Sequence, residues 1–188
     1  MSNKATANRN RIVDIADQLF YSKGFNQSSF TDIAEAADIP RGNFYYYFKT
    51  KDEILESVID KRLSYIKSKL AGYEAQYDSP QERILKFIEM FRDDAETLNL
   101  HGCPMGTLNI ELSKTQHELR GMAKQMFDVY RNWLTEQFRA LNTKSKPEEL
   151  AMHLLVQTQG LAVMAQTYND PELIKRETRE LKRWVFSL

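Results

Sequence analysis

The chain has 188 residues, 42% apolar and 28% charged, with 7 glycines, 5 prolines and a formal net charge of zero, a composition that fits a folded globular protein and excludes collagen-like and disordered classes. No run of about 18 apolar residues is present to span a bilayer, and the start MSNKATANRNR lacks the apolar stretch of a secretory signal, so a cytoplasmic chain with no membrane partner is expected. One cysteine, Cys103, and three histidines, His101, His117 and His153, allow neither an internal disulfide nor a multi-cysteine zinc site; no metal or other cofactor is expected.

Apolar residues recur at intervals of three and four with no sustained alternation of period two, which predicts an all-α fold of about nine helices. Ile12, Ile15, Ala16, Leu19 and Phe20 form the stripe of a first helix, ended by Gly24 in the position of a left-handed C-cap. Ser29 followed by Asp32 resembles a shortened capping box opening a brief second helix, with Phe30, Ile33, Ala34 and Ala37 inward. Pro40 fits the first position of a third helix, where its missing N–H is no loss. From Lys51 a stripe of Ile54, Leu55, Val58, Ile59, Leu63, Ile66 and Leu70 runs through a long fourth helix toward Tyr77, ended by Ser79-Pro80. A fifth helix is expected over 81–99, a short sixth from Pro104, and a long seventh opened by Thr115 and Glu118 as a capping box. Pro147 and Pro171 mark the starts of the last two.

The eighth predicted helix, PEELAMHLLVQTQGLAVMAQTY, is apolar along two lines, one of Leu154, Leu161 and Ala165 and another of Met152, Val156 and Val163. A helix of this kind lies between two layers, either at the centre of a monomeric bundle or against a second copy of the chain, and Gly160 and Ala162 allow close approach.

Zero net charge argues against a nucleic-acid partner only if charges are evenly spread. Residues 1–13 carry Lys4, Arg9 and Arg11 with no acid, and residues 39–51 carry Arg41, Lys49 and Lys51, again with no acid. Either island alone reads equally as ordinary solvated charge. The second and third helices with their tight turn match a helix-turn-helix, whose second helix enters the major groove. With Phe44 at 0° and about 100° per residue, Phe48 falls near about 40° and Tyr47 near about 300°, making an inward face, while Gly42, Tyr46 and Lys49 point outward at about 160°, 200° and 140°. Arg41, Asn43 and Tyr45 flank. An outward glycine lets backbone approach a duplex, a tyrosine reaches phosphate or a thymine methyl, and lysines supply phosphate attraction. Tyr45 and Tyr47 also read as packing residues.

The run FTDIAEAADIPRGNFYYYFKTKDEIL closely resembles the DNA-binding domain of the tetracycline repressor (TetR) family, over about residues 8–55, with Asp38 where that family often has glycine. The resemblance implies an all-α homodimeric transcriptional regulator, usually a repressor and not an enzyme, with a DNA-binding domain over 1–50 and an effector-binding and dimerisation domain over 51–188. It implies pairing through the last two helices, a palindromic double-stranded operator as partner, and release by a small-molecule effector. The expected DNA-contacting set is Arg11, Ser29, Thr31, Arg41, Gly42, Asn43, Tyr45, Tyr46, Lys49 and Lys51. A helix-turn-helix dimer without an effector is the alternative.

In LHGCPMGTLNIELS, Pro104 at a first helical position puts Cys103 at an N-cap, where N–H groups favour thiolate, so Cys103 reads as a sensor of oxidants or electrophiles or else as a small buried junction residue. Met126, Tyr130 and Trp133, in a Met-rich and aromatic-rich segment, join Cys103 as candidate effector contacts, against the plainer reading of core.

Overall fold

The computed structural model describes residues 3–115 and 117–188, with the side chains of Arg41, Thr115, His117 and Glu118 outside the described set. The capping box expected at Thr115 and Glu118 therefore lies outside the described residues. Every regular element among them is helical: α1 Asn3–Ser22, α2 Phe30–Ala36, α3 Arg41–Tyr47, α4 Lys51–Gln76, α5 Pro80–Asp93, α6 Ala95–His101, α7 Pro104–Thr115, α8 His117–Ala140, α9 Pro147–Tyr168 and α10 Pro171–Phe186. The single helix expected over 81–99 is two. Asp94, with φ −97° and ψ 14°, leaves helical geometry while its N–H still donates to Met90 O and its carbonyl accepts from Leu98 N–H, so the apolar spacing survives a break that it does not reveal.

The chain divides into two compact units. One comprises Met1–Ser64 with Thr107–Met126, the other Tyr65–Gly106 with Phe127–Leu188. The first unit thus extends past residue 50, because Ile54, Leu55, Val58 and Ile59 of α4 are fully buried and complete the core formed by Ile12, Ala16, Phe25, Ile33 and Phe44. Phe20 and Phe25 meet edge to face at 5.1 Å across the bend after α1, where Gly24 adopts φ +92°, a conformation that a Cβ would strain. Ser29 caps α2 as expected: its hydroxyl accepts from Asp32 N–H at 3.0 Å and its own N–H donates to the Asp32 carboxylate at 2.9 Å.

In the second unit α5 packs on α10, and α9 on α6 and α10. Glu89 of α5 ties the first pair, accepting from Lys86 at 2.7 Å and from Lys182 of α10. Burial pushes the Glu89 carboxyl up, but the two ammonium donors outweigh it and hold its pKa at about 2. Because the folded pKa lies below the unfolded one, the pair stabilises above about pH 5 and that contribution is lost as pH falls toward about 2. With the Glu89 side chain 19% exposed, solvent screening reduces the contribution to about 1–2 kcal/mol. Glu89→Gln is expected to lower the melting temperature by a few degrees at neutral pH, the gap to wild type closing on titration to about pH 2.5.

Candidate nucleic-acid interface

Backbone hydrogen bonds close the turn between α2 and α3. Ala37 N–H donates to Ile33 O at 2.9 Å and Ile39 N–H to Ala34 O at 3.1 Å, with Asp38 between them at φ +50°. Aspartate tolerates this left-handed geometry, which explains why no glycine is needed there. Pro40 does not open α3 as its first helical residue. Its ψ of 136° keeps it outside the helix as the N-cap, and its carbonyl accepts the N–H groups of Asn43 and Phe44 at 2.8 and 3.0 Å.

Within α3 the helical phase sorts the side chains. Phe44 and the following Phe48 are buried, and Phe30 of α2 meets the Phe44 ring edge to face at 4.6 Å. Gly42, Asn43, Tyr45 and Tyr46 are exposed, the two tyrosines by 54% and 66%. A Cβ built on Gly42 would meet nothing within 4 Å, so packing within the chain does not demand a glycine there. Tyr45 keeps one ring face against Phe30 at 5.1 Å. Tyr47 departs from the expected inward position: it is half-buried, and its hydroxyl accepts from Asn8 Nδ2 of α1 at 2.9 Å. The hydroxyl of a half-buried tyrosine needs a partner and finds it on α1.

The cations serve the fold before they serve a partner. Arg11 donates to Asp38 O at 3.3 Å, and Lys49 Nζ donates to Tyr45 O at the C-terminal end of α3. Arg9 donates to Ser57 Oγ at 2.8 Å and lies over the Phe48 ring at 4.7 Å. All these acceptors are neutral, so the positive charges are held in place without being cancelled. The second island holds no acid of its own, but Glu53 follows closely and its carboxylate accepts the Lys49 backbone N–H at 2.8 Å. Lys51 is placed elsewhere than expected. Its ammonium donates to Phe25 O at 2.8 Å and Ser28 O at 3.1 Å and sits 4.2 Å over the Phe25 ring, and desolvation pushes its pKa down. Ser29 is exposed and engaged as a cap, Thr31 is half-buried, and the Arg41 side chain lies outside the described residues.

Of the expected effector residues, Cys103, Tyr130 and Trp133 fall in the second compact unit and Met126 in the first. Cys103 is buried at the N-terminus of α7, where its sulfur accepts the Gly106 N–H at 3.5 Å. A Cβ on Gly106 would come within 2.8 Å of Gln159 Oε1, and Gln159 Nε2 is buried with no hydrogen-bond partner. Sequence spacing gave no sign of Gln159, which is 53 positions from the glycine it packs against. Tyr130 is buried against Phe87 at 5.4 Å, burial pushing its phenol up, and the half-buried Trp133 donates to Glu74 at 2.8 Å. Between α9 and α10 runs a groove of about 960 Å³ lined by Val156, Gly160, Met164, Tyr168, Leu173 and Trp184 among others. The two apolar lines of α9 separate here: Leu154, Leu161 and Ala165 are buried, whereas Met152, Val156 and Val163 are 45%, 57% and 53% exposed.

Among the described residues no group of histidine, cysteine and acidic side chains could hold a metal, and no helix is long and apolar enough to cross a membrane. A family model described as "Bacterial regulatory proteins, tetR family" matches residues 12–58, and one described as "Transcriptional regulator LmrA/YxaF-like, C-terminal domain" matches residues 80–180, more than half of the chain. The chain is 29% identical over 178 residues to an uncharacterized HTH-type transcriptional regulator in the lacX 3' region of Lactococcus lactis subsp. lactis, spanning 93% of this chain and 91% of that one. It is 26% identical over 126 residues to the HTH-type transcriptional repressor DhaR of Mycobacterium sp. (strain GP1), spanning 67% and 61%. The solved structure of a TetR transcriptional regulator from Chloroflexus aurantiacus J-10-FL superposes with a TM-score of 0.87 at 21% identity, covering 97% of this chain and 96% of that one.

Proposed function

The chain belongs to the TetR family of bacterial regulatory proteins, and from that membership we propose that it acts as a repressor, a homodimer joined through α9 and α10 that binds a palindromic operator and leaves it when a small molecule occupies the C-terminal domain. It is a DNA-binding regulator of transcription and not an enzyme. The observation that carries the operator reading is the division of α3: Phe44 and Phe48 are buried while Gly42, Asn43, Tyr45 and Tyr46 face solvent. A face with two large exposed aromatic rings beside an open glycine suits base edges and phosphates. Repression is supported by the name of the DhaR relative. Two recognition helices about one DNA turn apart would read the two half-sites, and an effector would shift the population away from the DNA-competent dimer.

For the effector, the neighbourhood of Cys103 supports the assignment best. A thiol at a helix N-terminus, the unpartnered Gln159 amide and the buried Tyr130 belong to the same compact unit, and a buried polar group without a partner is one that a ligand can satisfy. The first experiment is to let the purified chain select duplexes from a random-sequence library; selection of a palindrome supports the operator reading, and recovery of no preferred sequence ends it. Release of the selected duplex is then followed with the thiol oxidant diamide. Release of wild type but not of Cys103→Ser is expected if the thiol is the sensor; equal release from both assigns the site to reversible ligands.

A further inference from the structure

The loop joining α1 to α2 is gripped from two sides. On one side lies the Lys51 ammonium, bonded to Phe25 O and Ser28 O at 2.8 and 3.1 Å. On the other, the Glu111 carboxylate of α7 accepts the Asn26 N–H at 3.0 Å. The same carboxylate presses on Gly24 so closely that a Cβ there would meet its Oε1 at 2.8 Å. Within the loop, the buried Ser28 gives its hydroxyl to Gly24 O at 2.8 Å, and the next residue, Ser29, caps α2. The loop therefore leads without slack into α2, and Phe30 of α2 holds Phe44 of α3. Glu111 is brought to this loop by a helix whose first residues, Pro104 to Gly106, belong to the other compact unit.

We propose that Glu111 is a positioning residue for operator binding: its carboxylate seats the loop between α1 and α2, and through α2 the recognition helix α3, so that a shift of α7 unseats the DNA-reading surface. This rests on the operator reading above. Charge alone predicts the opposite effect of removing it, since losing a carboxylate from a DNA-binding unit removes repulsion from phosphates and strengthens binding to any duplex. Losing a charge-assisted hydrogen bond that fixes the loop weakens only the geometry-dependent part, by about tenfold.

The test uses the whole chain, the duplex selected by wild type and an unrelated duplex of equal length. Glu111→Ala is expected to bind the selected duplex about tenfold more weakly and the unrelated one at least as tightly as wild type, with faster amide exchange at residues 24–28. Glu111→Gln, whose carbonyl still accepts the Asn26 N–H, recovers most of the loss. Glu111→Asp keeps the charge but falls short of the loop, and loses as the alanine variant does; it decides the matter should Glu111→Ala not fold. Unchanged or tighter binding of Glu111→Ala or Glu111→Asp to the selected duplex, or equal loss on both duplexes, overturns the proposal. If wild type itself selects no sequence, the operator reading falls and takes this role with it, a result distinct from a wild type that selects and a variant that is indifferent.

Discussion

Replacing Tyr46 by alanine is expected to lower affinity for the selected duplex by roughly a hundredfold while leaving the melting temperature of the free protein almost unchanged. Tyr46 is 66% exposed and touches its neighbour Tyr47 edge to face at 5.3 Å. Its removal therefore opens no cavity, and exposed substitutions of this kind stay within about 0.5 kcal/mol of wild type. A lost base or phosphate contact costs about 1–3 kcal/mol, and a dimer loses it twice, so the expected deficit lies near about 3 kcal/mol. Fluorescence anisotropy with the labelled duplex measures the affinity, and calorimetry the fold. Tyr47→Phe supplies the contrast: it removes the hydroxyl that accepts from Asn8, so it lowers stability by about 1 kcal/mol with a much smaller change in affinity. Wild-type affinity in the Tyr46→Ala protein would remove α3 from the groove.

What the sequence made legible was whatever follows from phase along one helix. The buried pair Phe44 and Phe48, the exposed Gly42 and Tyr46 and the two lines of α9 were all readable from residue spacing, because a helix converts spacing directly into direction. What stayed hidden depends on partners distant in the chain. Lys51 read as a phosphate donor, yet its acceptors are carbonyls 26 and 23 residues away; a lysine gives no sign in sequence of whether it snorkels outward or caps a loop. Glu111 gave no signal at all, since its bond to Asn26 spans 85 residues. The break at Asp94 was invisible for a different reason: Ile84, Phe87, Ile88, Phe91, Ala95 and Leu98 are all buried and keep a helical rhythm through it.

An electrically neutral chain that holds DNA, as proposed, would do so with cations fixed in place. Arg9, Arg11 and Lys49 donate to hydroxyl or carbonyl oxygens and so are fixed in direction. A cation fixed in this way loses less side-chain entropy on meeting a phosphate than a free one, so fewer of them are needed. Lys51, by contrast, is spent on the loop that Glu111 also grips. On the proposed operator reading, direct recognition would fall to α3 and its setting to α1, the loop and α7.

Val156→Asp is expected to convert the dimer to a monomer at micromolar concentration and to lower operator affinity by more than Tyr46→Ala does. Val156 is 57% exposed on α9, in line with Met152 and Val163, and Met164 and Tyr168 extend the apolar surface at 44% and 69% exposure. Exposed apolar side chains in such number on one helix suit a surface that a partner covers, here the second copy proposed above. Gly160 lies among them, and a Cβ built on it would meet nothing within 4 Å, leaving room for a second α9 to cross closely. In the monomer an aspartate at position 156 stands in water and costs the fold little. In a pair joined through α9 as proposed, the two carboxylates would enter an apolar seam, and burying unpaired charge there would cost several kcal/mol. Operator affinity falls with the dimer, because each half-site is then bound alone and the gain from linking the two sites disappears. Sedimentation equilibrium gives the oligomeric state, and Tyr65→Asp, at an exposed aromatic position on α4, serves as control and is expected to stay dimeric. A dimeric Val156→Asp beside a dimeric Tyr65→Asp would move the interface off α9.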